Sequence, residues 1–146
     1  VTFSAAFFVA GSPKAQPRAR AFACKGKIRV YDPATAEGWK SVIADAAKSW
    51  TPRKPLDCAV AVHCTFYLDR PKSRCRKSDP NGSIWCLSKP DCDNLAKALL
   101  DCLTQLRWWV DDSRVCVLDV RKKFHGKADQ PGMAIQVYEL PEVPND

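Results

Sequence analysis

No run of apolar residues in this 146-residue sequence is long enough to span a bilayer, which excludes a transmembrane helix. No two of its cysteines stand in a C-x-x-C spacing, which weakens zinc-ribbon and thioredoxin-type readings together. Histidine is scarce, at two residues, and no internal repeat is visible. The apolar start, Val1 to Ala10, lacks the basic lead-in and cleavage site of a signal peptide and reads instead as a strand. What remains is ordinary globular composition: 46% apolar and 27% charged residues argue against disorder. The length suits one domain, residues 1–146, with enough core to need no metal or disulfide staple. Basic residues outnumber acidic ones 23 to 16, a net charge of +7. Such a balance suits a polyanionic partner and says nothing about fold.

Cysteine itself is abundant: Cys24, Cys58, Cys64, Cys75, Cys86, Cys92, Cys102 and Cys116. Cys58 and Cys64 share one face of an expected strand, and Cys102 lies on the apolar face of an expected helix. The chain therefore reads as cytosolic, its thiols reduced and acting as small hydrophobes. Cys75 and Cys86 fall in an expected loop, where a disulfide or metal stays open.

Thr2–Ala10 is strand-like and is broken by Gly11-Ser12-Pro13. A basic segment follows with Lys14, Arg18 and Arg20. Ala21–Cys24 and Lys27–Tyr31 are expected to pair as a hairpin. Asp32-Pro33 starts a helix running to about Trp50, with Trp39, Val42, Ile43, Ala46 and Trp50 as its apolar stripe. Asp57–Asp69 alternates as a strand, with Cys58, Val60, Val62, Cys64, Phe66 and Leu68 on one side and His63 on the other. Arg70–Pro90 reads as a loop carrying Arg70, Lys72, Arg74, Arg76, Lys77 and Lys89. Either it is a solvated charge run or it is an arm that contacts phosphates. Asp91–Leu106 is a helix with a buried stripe of Leu95, Leu99, Cys102, Leu103 and Leu106. Val115–Phe124 and Met133–Glu139 are strands, and residues 140–146 form a frayed tail. The sum is an α+β domain: one mixed or antiparallel sheet with two principal helices.

The most informative stretch is Lys89-Pro90-Asp91-Cys92-Asp93-Asn94-Leu95-Ala96-Lys97. A helix cap needs one short polar side chain, and Asp91, Asp93 and Asn94 together are more than a cap requires. In extended chain, residues two apart face the same way, which would aim Asp91 and Asp93 together. Lys97 lies one turn beyond Asp93. It is either a surface ion pair with Asp93 or Asp101, or a cation that neutralises charge building on a phosphate. Asp111-Asp112 follows about one helix length later, and a returning strand would bring the pair back beside Asp91. Converging carboxylates without His or Cys favour Mg²⁺ or Mn²⁺ over zinc. Such an ion can activate water and stabilise the leaving oxygen in phosphodiester cleavage.

The order Asp-x-Asp-Asn-x-x-Lys…Asp-Asp between basic segments resembles the RusA-type Holliday-junction resolvases of bacteria and their prophages. The likeness is densest in KPDCDNLAKALLDCL, in WWVDDSRV and in the strand reaching Lys122, and more weakly spans most of the chain. It implies a small Mg²⁺-dependent endonuclease, homodimeric, that cuts four-way DNA junctions by paired nicks in recombination and repair. By motif position its catalytic residues fall on Asp91, Asp93, Asp112 and Lys97, with the three aspartates as metal ligands. The resemblance, not spacing, chooses Asp112 over Asp111. Asn94, Asp101 and Lys122 match further positions. The Arg70–Pro90 loop is longer and more basic than in short family members. Lys14, Arg18, Arg20, Arg74, Arg76, Lys77, Lys89 and Lys122 are the expected DNA contacts. Neither a membrane nor a small-molecule cofactor is implied. Trp108 and Trp109 are read first as core or interface residues and second as base-stacking groups. The alternatives are a metal nuclease acting on forks or flaps, a junction-binding protein without catalysis, and a zinc-stabilised fold built on the cysteines.

Overall fold

The structure, a computed structural model, describes residues 2–16, 20–24, 27–31 and 36–144. It is a single α+β domain built on a five-stranded mixed sheet. The strands of that sheet are β1 (Ser4–Ala10), β4 (Val60–Leu68), β5 (Ile84–Trp85), β6 (Val115–Phe124) and β7 (Gly132–Glu139), in the order β1-β7-β4-β6-β5. β4 and β6 are parallel, and every other pair is antiparallel. A parallel pair needs a long crossover. Residues 69–114 provide it, and they contain α2 (Cys92–Gln105). A separate hairpin, β2 (Arg20–Cys24) with β3 (Lys27–Tyr31), forms as its sequence pattern implies. Helix α1 (Glu37–Ala47) follows it. The expected start at Asp32-Pro33 lies outside the described residues, as does Arg18.

The alternation of β4 is realised from Val62 onward, whereas Ala61, expected on the other face, is buried too, and Cys58 precedes the strand and is half-buried. Val60, Val62, Cys64, Phe66 and Leu68 are buried against the helices, whereas His63, Thr65 and Tyr67 are only half-buried on the other face. His63 finds partners there: Tyr138 at 3.0 Å and Asp119 at 3.8 Å. Helix α2 buries Leu95, Leu99, Cys102 and Leu103. Each large apolar side chain so buried contributes about 1.5–3 kcal/mol. An isolated 14-residue helix is marginal in water, so this packing, rather than its capping, sustains α2. The stripe expected on α1 is narrower in the fold. Trp39, Ile43 and Ala47 are buried, but Val42 and Trp50 are exposed. Trp50 falls in a tighter 3₁₀ turn, Lys48–Trp50, which rotates it off the helical stripe and onto Phe7, stacked at 5.7 Å. Trp108 and Trp109 are fully buried, which makes them core residues and removes them as base-stacking groups.

What carries those tryptophans inward is the end of α2. The Arg107 N–H donates to the Thr104 carbonyl and the Trp108 N–H to the Leu103 carbonyl, with Arg107 at φ 64°. This is a Schellman cap with arginine where glycine is the usual residue. The left-handed conformation costs a non-glycine residue about 1–2 kcal/mol, part of which glycine would lose again to chain entropy. Arg107→Gly should therefore raise stability by about 0.5–1 kcal/mol, measured as a higher urea midpoint.

Residues 70–90 are not irregular throughout. They hold a 3₁₀ turn, Lys72–Arg74, and the edge strand β5. Arg70 is not a phosphate contact but a buried hub. Its guanidinium donates to the carbonyls of Arg74 (2.7 Å), Pro80 (2.7 Å), Gly82 (2.9 Å) and His125 (3.4 Å). Lys127 adds a second clamp, donating to the carbonyls of Arg76 and Asp79.

Candidate active site

Asp91 is the N-cap of α2, with extended backbone (φ −78°, ψ 151°), and its carbonyl accepts the first helical hydrogen bond from Leu95 at 3.1 Å. Its side chain makes no capping bond. Asp93 is already inside the first helical turn. The extended two-residue spacing expected from sequence thus does not apply, because the helix begins between the two carboxylates. Both are exposed, and among the described residues neither enters a hydrogen bond or ion pair. Cys92, between them, is half-buried.

Asp111 and Asp112 have separate tasks. Asp111 caps the 3₁₀ turn Asp112–Arg114, its Oδ2 accepting from the Ser113 N–H at 2.9 Å. Bonds from the Ser113 side chain and backbone hold the Asp111 carboxyl below the usual carboxylate range. Asp112 is exposed in a turn that packs against α2 and is tied to Asp57 through Arg114 at 2.8 Å. Folding therefore supplies a reason, independent of any resemblance, to separate the two: one is consumed as a cap. Lys97 pairs with Asp101 at 3.6 Å on the exposed side of α2. Such a pair adds little stability but limits where the ammonium can go.

The donor set Asp91, Asp93 and Asp112 is all carboxylate oxygen, which fits a hard divalent cation. Among the described residues, no three His, Cys, Asp or Glu side chains are gathered closely enough to enclose a metal as they stand. Cys58, Cys64, Cys75, Cys86, Cys92, Cys102 and Cys116 are free thiols. Burial, with Asp119 and Cys92 adding to it, pushes the Cys64 thiol up to about 12. Burial likewise pushes Cys102 up to about 11, against an opposing effect of Lys40. Thiols held protonated are poor ligands and poor nucleophiles.

The expected DNA contacts distribute unevenly. Lys14 is exposed, and the bond from the Gln16 N–H to the Asn94 carbonyl (3.0 Å) places its segment beside the first turn of α2. Arg20 lies in β2. Arg76, Lys77 and Lys89 are exposed, and Arg74 is partly so; Asp79 draws Arg74 and Arg76 to 3.7 and 3.8 Å. Lys122 is engaged within the fold: its ammonium donates to the carbonyls of Ser88 (2.5 Å) and Pro90 (2.9 Å). It thereby holds the strand of chain that leads into Asp91. Sequence reasoning missed that role, and it missed Trp85, a largely exposed aromatic on β5. Two strand residues among turn formers carry no periodicity, so only β6 pairing identifies them.

Known proteins resemble this chain along nearly its whole length. The family model described as Endodeoxyribonuclease RusA matches residues 10–138. An uncharacterised Bacillus subtilis protein, YqaN, is 30% identical over 139 residues, covering 92% of this chain and 95% of its own length. A protein of Lactococcus phage r1t named crossover junction endodeoxyribonuclease rusA is 33% identical over 104 residues, covering 67% of this chain and 70% of its own. Carboxylates at the head of α2, an exposed aspartate in the turn packed against it and a matching family pattern across the domain agree: this chain belongs to the RusA endodeoxyribonuclease family.

Proposed function

We propose that the protein is a Mg²⁺-dependent nuclease that resolves four-way DNA junctions by paired symmetric nicks, in recombination and repair. One observation carries the reading. In a chain of net charge +7, the two carboxylates at the start of α2 are exposed and have no partner in the described structure. Carboxylates there repel phosphate unless a cation lies between them, so DNA binding alone does not account for them.

Asp91, Asp93 and Asp112 would hold the ion, with Mn²⁺ as a substitute for Mg²⁺. Bound there, it would supply Lewis acidity toward a water and toward the leaving oxygen. The water oxygen forms the new bond to phosphorus, the bond to the leaving oxygen breaks, and that oxygen takes up a proton. Lys97, positioned by Asp101, stabilises negative charge gathering on the phosphate. Lys14 and the cations of residues 72–89 hold flanking phosphates without reading sequence. A nearly two-fold symmetric junction cut on two strands calls for a two-fold homodimer with one site per subunit.

The test is cleavage of an end-labelled synthetic four-way junction, with fork and linear duplex as competitors. Symmetric nicks in Mg²⁺ that disappear in EDTA, with the junction preferred, are the expected result. Tight junction binding without cutting in any divalent ion would overturn the enzymatic reading. Preferred cutting of the fork would move the substrate assignment.

A further inference from the structure

The edge strand β5 presents Trp85 at 61% exposure and is followed by Leu87 at 89%, large apolar side chains that the fold leaves in water. They stand in an open cleft of about 500 Å³, lined by Arg74, Pro80, Ile84, Trp85, Leu87 and Lys123. The Lys123 ammonium lies over the Trp85 ring, 5.1 Å from its centroid. Tryptophan and arginine are common in protein interfaces but lysine is depleted there, so the lysine over the ring is what sets this cleft apart from a protein-docking surface. The cleft is a good match for a nucleotide, whose base stacks on the ring while its phosphate meets the cations.

This platform is rigidly joined to the acidic site. Trp85 pairs with Lys123 across the sheet, and the Cys86 N–H bonds to the Lys122 carbonyl at 3.4 Å. The Lys122 ammonium binds the carbonyl of Pro90, the residue before Asp91. Two adjacent residues of β6 thus support both the aromatic and the metal-site carboxylate. Five residues lie between Trp85 and Asp91, so their Cα atoms are at most about 22 Å apart, roughly six stacked nucleotides. On the other side, the Arg70 hub fixes the loop that contributes Arg74.

We propose that Trp85, with Lys123 and Arg74 beside it, is a stacking subsite for one unpaired nucleobase within a few nucleotides of the cut. The proposal rests on the nuclease reading. The cleft is built from the long 70–90 segment, so the subsite would set preference for DNA in which a base is free to leave its stack.

The test pairs the protein with the base. Junctions carrying a single abasic nucleotide, moved stepwise away from the cleavage point, are titrated in EDTA with the wild type, Trp85→Ala and Trp85→Phe. One abasic position should weaken wild-type binding about tenfold. Trp85→Ala should bind the intact junction about tenfold more weakly and be indifferent to that abasic position, and Trp85→Phe should recover most of the loss. Equal responses of wild type and Trp85→Ala at every position would overturn the subsite, as would unchanged affinity of Trp85→Ala. Cleavage of the intact junction by the wild type in Mg²⁺ is read separately: its absence sinks the nuclease reading, whereas its presence with no abasic coupling sinks only the stacking subsite.

Discussion

Asp93→Asn should cut four-way junctions at least about 10³-fold more slowly than the wild type, equivalent to about 4 kcal/mol of transition-state stabilisation, while still binding the junction. The substitution keeps the shape of the side chain and its place in the first turn of α2, so a folding defect is not expected. It removes one charge from a set of three, and a hard divalent ion is held chiefly by charged oxygens. Asp111 and Asp112 provide the internal control. Asp111 is a cap whose carboxylate accepts from Ser113, and asparagine caps equally well. Asp111→Asn should retain cutting within a few-fold, and Asp112→Asn should lose it like Asp93→Asn. Single-turnover cleavage of a labelled junction, with binding measured in EDTA, checks all three. A matched loss in Asp111→Asn, or an active Asp93→Asn, would overturn the assignment of ligands.

Arg70→Met should lower global stability by about 2–4 kcal/mol, since bonds from a charged donor contribute roughly 1.5–3 kcal/mol each and the freed carbonyls regain only some of this from water. Arg70 is 7% exposed, and its guanidinium serves four carbonyls drawn from the 70–90 segment and from the β6–β7 connection. Arg70→Lys should not restore the loss, because an ammonium cannot reproduce the planar fork. Thermal unfolding should show a drop of roughly 5–15 °C for Arg70→Met. Hydrogen exchange should show the first opening in residues 70–90, which would also weaken DNA binding through Arg74 and Trp85. A variant as stable as the wild type would return Arg70 to the surface role that its sequence neighbourhood suggests.

That neighbourhood illustrates where sequence reading succeeds and where it stops. Periodicity located β4, β7 and α2 because each presents one face to the core, and the hydrophobic pattern is the direct imprint of that burial. The hairpin of β2 and β3 was legible from its turn for the same local reason. The six basic residues from Arg70 to Lys89 look alike as a string. One of them is buried, others are exposed, and nothing local distinguishes them, because the carbonyls that Arg70 serves arrive partly from His125, 55 residues away. Lys122 is the same case. A lysine on a strand beside a basic loop reads as a DNA contact, yet the Ser88 and Pro90 carbonyls capture its ammonium.

The sequence alone determined the chemical kind of the site: carboxylates at the start of a helix, a lysine one turn on, a second acidic pair after a return, and a basic chain around them. Those are local facts of residue type and spacing, and they carried the family resemblance. Tertiary structure decided which members of each look-alike set are already engaged within the fold. It assigned Asp111 to a cap and left Asp112 exposed, buried Trp108 and Trp109, and set Trp85 in a cationic cleft. The physical reason is that a hydrogen-bonding or apolar group is available for function only if the fold has not already satisfied it, and most of the partners that satisfy these groups lie far away along the chain.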